Sequence, residues 1–294
     1  MATVAMFEMS LATRNAGAAR RPSGLAPLYA EMPHPRRSAM LAQVIEAEIL
    51  PRLSMAHSPS AAATNQPATN QNGEAETAEL VRLVMTGGKG AADAFVAGLR
   101  ARGDTVEAIF LGVLSAAARQ LGEFWTDDRC NFTEVTISVG RLQQLVRALA
   151  PEFQAGALQP NGHTVLLTPA PREQHTFGLM LLGEFFCRAG WHVASGSASD
   201  GNGTATAVRD VWYDVVGFSI GSMALLDGLA KCIRQVRRLS KNADIAVIVG
   251  GPLYQTHPDI VSRTGADAAA ADGPGALQNA TRLVRARELE PSIR

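Results

Sequence analysis

The chain has 294 residues, 47% of them hydrophobic, enough for about two domains with a sizeable core. Lys plus Arg and Asp plus Glu number 27 each, so the formal net charge is zero and no global attraction to nucleic acid or anionic lipid is expected. Cys130, Cys187 and Cys232 lack Cys-x-x-Cys spacing, and no apolar run approaches the roughly 20 residues of a bilayer span. A cytoplasmic chain without signal peptide, membrane anchor or thiolate metal site is therefore expected.

In chain order, residues 1–36 mix Ala, Gly, Pro, Arg and Met without a period and read as a disordered N-terminus. Residues 37–57 place Leu41, Val44, Ile45, Ile49 and Leu53 at helical spacing, with Glu46 and Glu48 between them. That pattern predicts one amphipathic regulatory helix, kinked or ended near Pro51. Residues 58–73 are polar and of low complexity, as a flexible linker would be.

Residues 74–155 keep a helical period and predict a four-helix cap domain. Short helices are expected over Glu76–Met85 and Ala91–Ala101, split by Gly87, Gly88 and Gly90. A third helix over Thr105–Trp125 has Asp104 as its expected N-cap. A fourth runs over Phe132–Leu149 and stops at Pro151.

After Gly162 strands and helices alternate. Strands are expected over His163–Ala170, Trp191–Ser195, Asp214–Ser219, Ile245–Val249 and Asp267–Ala271. Helices are expected over Thr176–Ala189, Thr204–Asp210, Ala224–Leu239, Pro258–Thr264 and onward to about Arg287. The fold class is α/β: a helical-bundle cap, then, over residues 160–290, a flavodoxin-like doubly wound parallel five-stranded sheet.

Such a sheet binds ligands beyond the carboxyl ends of its strands, where the strand order reverses. The first strand is followed by Glu173 and His175, and the third ends at Ser219 and Ser222. Each has a plainer reading. His175 and the serines can be helix caps, Glu173 an acid favoured by a helix dipole, and Gly250-Gly251 a tight turn.

Glu173-Gln174-His175-Thr176-Phe177-Gly178 has the form acid-x-His-x-x-Gly and resembles the signature of cobalamin-binding domains. The resemblance implies that His175 is the lower axial cobalt ligand and that Glu173 orients its imidazole. It places Gly178, Ser219, Ser222 and Gly250-Gly251 around the cofactor, although the usual Ser-x-Leu is Ser219-Ile220-Gly221 here. Upstream, Leu121–Trp125 and Phe132–Thr136 resemble the helical cap of CarH-type photoreceptors, which implies that Trp125 covers the upper corrin face. Thr126 and Val135 stand where that family has histidines. The plainer reading of Trp125 is an ordinary bundle-core residue.

Arg37–His57, Phe132–Gln143 and Gly250–Leu253 resemble the AerR/PpaA family of antirepressors of photosynthesis gene expression. The resemblance implies a non-enzymatic, light- or redox-responsive transcriptional regulator. Its cofactor would be adenosylcobalamin or hydroxocobalamin, its partner a repressor of the PpsR/CrtJ type, and any DNA association indirect through that partner. Two alternatives share the site: a corrinoid methyl carrier serving a methyltransferase, and a haem sensor with His175 as axial ligand. Gly201-Asn202-Gly203 reads as a loop, since Thr206 replaces the third Gly or Ala of a dinucleotide motif. Cys130 reads as buried and inert. His34, His57, His163, His192 and His257 are not expected to be ligands.

Overall fold

The computed structural model describes residues 71–88, 90–196 and 202–289. The expected N-terminus 1–36, the helix 37–57 and most of the linker lie outside the described residues.

Helix α1 spans Gln71–Thr86 and opens inside the stretch expected to be linker. Helix α2 (Ala91–Ala101) follows a left-handed Gly90 at φ 87°. The next helix differs from expectation in two ways. Its N-cap is Thr105 rather than Asp104, and the Thr105 hydroxyl accepts the Ala108 N–H at 3.1 Å. After one turn, α3 (Val106–Ala108), it widens into a π-helix over Ile109–Leu114, where the Ser115 hydroxyl reaches the Phe110 carbonyl at 2.7 Å. It resumes as α4 (Ser115–Thr126).

Helix α5 (Phe132–Gln154) begins at a capping box formed by Asn131 and Glu134. It runs through Pro151, contrary to the expected stop. Packing outweighs the lost hydrogen bond. Phe153, in the last turn, is 2% exposed and sits between Phe110 and Phe185, with ring centroids 5.0 and 5.1 Å away. The Gln154 amide donates to the Glu184 carbonyl and carboxylate at 2.9 and 2.8 Å.

The α/β part comprises β1 (Thr164–Pro169), α6 (Phe177–Arg188), β2 (His192–Ser195), α7 (Asn202–Asp210), β3 (Val215–Ser219), a 3₁₀ turn Met223–Leu225, α8 (Leu226–Leu239), β4 (Ala246–Gly250), α9 (Pro252–Thr256), α10 (Ile260–Thr264), β5 (Ala268–Ala270) and α11 (Gly273–Leu289). The strand order is β2-β1-β3-β4-β5, all parallel, as the alternating pattern predicts. Helix α9 was not anticipated: it is a single turn opened by Pro252 directly after the Gly pair.

Strand side chains divide by parity. Val165, Leu167, Val215, Ala246 and Ile248 join the core beneath α6 and α11. Leu166, Val216, Phe218, Val247 and Val249 join the core beneath α7, α8 and α10. The first of these cores continues into the helical bundle through Phe153 and Phe185, reaching Leu80, Phe110 and Leu121. Each fully buried Leu or Phe there contributes about 1.5–3 kcal/mol of transfer free energy. The bundle is therefore packed onto the sheet side that α6 covers, and no helix among the described residues is long and apolar enough to cross a membrane.

Candidate functional site

The site is built on the loop from β1 to α6. Strand β1 pairs with both β2 and β3, and its neighbours leave in opposite directions, so the crevice opens at the carboxyl ends of β1 and β3. Ala170 donates its N–H to the Ser219 carbonyl at 2.8 Å, which ties the loop to the end of β3. Pro171 and Arg172 then turn the chain, closed by Glu173 N–H to Ala170 carbonyl at 2.9 Å. Arg172 has φ 69°, a left-handed conformation that normally favours glycine or asparagine. The sequence gives no sign of this turn, and its strain of about 1–2 kcal/mol is held by the bonds on either side.

The turn points the carboxylate of Glu173 inward. Its side chain is 3% exposed and accepts four hydrogen bonds. Oε1 takes the backbone N–H of Gln174 at 2.8 Å, that of His175 at 3.0 Å, and His175 Nδ1 at 2.6 Å. Oε2 takes the Gly221 N–H at 2.6 Å. Burial pushes the carboxyl up, but the bond and charge of His175 and the backbone N–H groups outweigh it and hold Glu173 at about 2. Glu173 in turn raises the pKa of His175 against the opposing effect of burial.

An ionised carboxylate only accepts, so Nδ1 of His175 carries the proton. In neutral His175 the lone pair then resides on Nε2. The imidazole is 78% exposed, held at one nitrogen and open at the other. It does not cap α6, whose N-cap position is Thr176 and carries no side-chain cap bond. Gln174 and Gly178 are exposed beside it, and a Cβ on Gly178 would meet nothing within 4 Å.

The glycines at the strand ends are steric requirements rather than loose turns. A Cβ on Gly221 would lie 3.1 Å from Glu173 Oε2 and 3.6 Å from His175 Nδ1. Gly251 has φ 107°, and a Cβ there would lie 2.6 Å from the Ile220 carbonyl oxygen and 3.0 Å from Ser219 Oγ. A Cβ on Gly250 would lie 2.9 Å from the Ala270 carbonyl oxygen. Ser219 pairs with Pro169 and Gly250 across the sheet. Ser222 performs a cap's work, accepting the Ala224 N–H at 3.3 Å.

Trp125 lies in the last turn of α4, partly buried, with its ring edge-on to Phe132 at 6.2 Å. Phe132 is 69% exposed, an aromatic surface that sequence reasoning passed over. Cys130 is buried, and burial pushes its thiol up, the neighbouring charge of Glu134 adding to the effect. His163 packs tilted against Trp191, ring centroids 5.0 Å apart, and His257 bonds Thr256.

The structure thus brings Glu173, His175, Ser219, Gly221, Gly250 and Gly251 to one crevice. Gly221 was legible only as a departure from the expected Ser-x-Leu. Its N–H and its missing side chain are what the longer Glu carboxylate requires.

Residues 163–281 match the B12 binding domain family. The chain is also 32% identical over 163 residues to an uncharacterized 20.5 kDa protein in the bchF-crtJ intergenic region of Rhodobacter capsulatus. That match covers 55% of this chain and 84% of the relative. The chain belongs to the cobalamin-binding superfamily. The B12 binding domain accounts for β1 through most of α11, including every residue of the crevice. The fold resembles the monomethylamine corrinoid protein of Methanosarcina barkeri, with a TM-score of 0.60 at 13% identity, over 71% of this chain and 99% of that one. The shared architecture includes the helical region before the B12 binding domain.

The residues present suit a corrinoid. Among the described residues no group of three or more His, Cys, Asp or Glu side chains forms a metal cage. A single exposed imidazole with a fixed tautomer is what a metal already enclosed by a macrocycle needs from a protein.

Proposed function

We propose that this protein is a cobalamin-dependent, light- or redox-responsive regulator of transcription, with His175 as the lower axial cobalt ligand. The observation that carries the reading is the Glu173–His175 pair: a buried, ionised carboxylate holding one nitrogen of an exposed imidazole at 2.6 Å. Glu173 fixes the tautomer and keeps the ring from rotating, so Nε2 is presented in one direction. Ser219, Gly250 and Gly251 stand at the adjoining carboxyl ends of β3 and β4, where the family resemblance puts the cofactor's nucleotide tail. Bound cobalamin supplies a cobalt centre whose upper ligand is exchangeable or light-sensitive.

Trp125 and Phe132 form an aromatic corner at the junction of α4 and α5. In this reading Trp125 would cover the bound cofactor, and the ligand exchange or photochemistry that cobalamin supplies would change what the α4–α5 corner can contact. This is a two-state switch biased by a ligand. The partner is a repressor of the PpsR/CrtJ type. The relative's location beside crtJ and the AerR/PpaA-like segments favour this over a methyl carrier or a haem sensor. The chain is taken to be a non-catalytic cytoplasmic protein that reaches DNA only through the repressor. The test is reconstitution with adenosylcobalamin in the dark, followed by pull-down of the repressor before and after illumination. Corrin absorption with light-dependent capture supports the proposal. A haem Soret band, or capture indifferent to cofactor and light, contradicts it.

A further inference from the structure

A groove lies away from His175. It runs between the C-terminal ends of α5 and α6 and the outer face of α11, with a cavity volume of about 950 Å³. Phe153, Phe185 and Leu277 form its floor. Leu158 and Leu289, 68% and 83% exposed, stand at its edges. Exposed leucines flanking an apolar trough mark a surface that something covers.

The groove is also basic. Arg188 is already engaged, stacked 4.4 Å over Phe153 and 3.4 Å from Glu107. Arg282 and Arg285 are exposed on α11, and among the described residues neither is paired with a carboxylate. The occupant that fits is apolar with an acid in its apolar face.

Residues 37–57 of this chain have that pattern. At 100° per residue, Glu48 falls within the stripe of Leu41, Val44 and Ile45, being seven, four and three residues beyond them. An acid in that position weakens an ordinary apolar contact but matches a groove lined with arginines. An amphipathic helix of this length is marginal unless it packs against something.

The chain enters the described structure at the correct end. Glu76, in the second turn of α1, pairs with Arg102 just after α2. Arg100 pairs with Glu152 on α5, next to Phe153 in the groove floor. From Gln71 back to Ser58 is a polar stretch of about 13 residues, with an r.m.s. span of roughly 20 Å.

We propose that Arg37–His57 docks back into the groove between α5, α6 and α11, with Glu48 meeting Arg282 and Arg285. The groove lies apart from the cofactor crevice, so this contact stands or falls independently of the cobalamin reading. Hydrogen–deuterium exchange on the full chain, without cofactor and at several concentrations, tests it. Amides of residues 41–53 and of the last turns of α11 are protected together and independently of concentration. Ile45→Asp exposes both segments. Arg285→Glu speeds exchange in 41–53 about tenfold, and adding Glu48→Arg restores the protection. Three results overturn the proposal: residues 41–53 unprotected in the native chain, protection that fades on dilution and so belongs to a second copy, or α11 protection unchanged by Ile45→Asp, which assigns the groove to another occupant.

Discussion

The Gly221 N–H donates to Glu173 Oε2 at 2.6 Å, a bond that joins the loops after β3 and β1 across 48 residues of sequence. The carboxylate that orients His175 is therefore itself fixed by the neighbouring strand. Glutamate is one methylene longer than aspartate, so its carboxylate reaches further toward residue 221. The missing side chain at Gly221 is the space that this longer acid fills.

Acid length and residue 221 are thus coupled. Gly221→Leu forces Glu173 or His175 to shift and destabilises the protein by about 1–3 kcal/mol. Adding Glu173→Asp shortens the acid and recovers part of that loss. Thermal unfolding of the two single variants and the double variant measures the coupling. Additive effects would mean that the two residues do not share one space.

The pair also sets a pH window for the cofactor-free protein. Glu173 has a folded pKa of about 2, below its ordinary value of 4.5, so its contribution is present above about 4.5 and is lost as pH falls toward 2. The His175 pKa is raised, so its contribution is complete below 6.5 and is lost as pH rises through the folded value. The pair therefore stabilises most between about 4.5 and 6.5. Solvent screening at the exposed imidazole limits the total to about 2 kcal/mol. Melting temperature against pH for native protein and Glu173→Gln should diverge most in that window. Coincident curves in that window, or a gap that does not narrow as pH falls below 4.5, contradict the assignment.

The two kinds of glycine in the crevice predict opposite results. Gly251→Ala drives a Cβ against Ile220 at a φ that L residues avoid, and destabilises by roughly 2–4 kcal/mol. Gly178→Ala meets open space and leaves the melting temperature unchanged or slightly raised, while lowering cobalamin affinity if the corrin lies against that face. Unfolding curves with cobalamin titration separate the two.

Trp125→Ala removes a partly buried ring whose edge-on contact is with the exposed Phe132. Such a contact is worth about 0.5–1.5 kcal/mol, too little to unfold the protein. The expected change is in adenosylcobalamin affinity or photolysis yield. If both match the native protein, Trp125 belongs to the bundle alone.

The alternation of β-branched runs with helical periods was enough to read the five parallel strands. The central strands β1, β3 and β4 are buried on both faces and therefore appear as unbroken apolar runs. Glu173 and His175 were legible because their spacing carries their chemistry. Local features decided by long-range packing were not. Pro151 reads as a stop, and only the contact of Phe153 with Phe185 explains why α5 continues. The π-helix at Ile109–Leu114 has no signature in its residues, and the positive φ of Arg172 sits on a residue type that gives no warning of it. Gly221 needed the structure to turn a departure from the motif into a fitted part of it.

The central claim is that His175 ligates cobalt from below. The visible spectrum of full-length protein reconstituted with cobalamin, native beside His175→Ala, tests it most directly. The native protein should give the spectrum of a cofactor whose own base has been displaced by imidazole, and His175→Ala should bind weakly or lose that signature. A His175→Ala protein with an unchanged, imidazole-ligated spectrum would contradict the account.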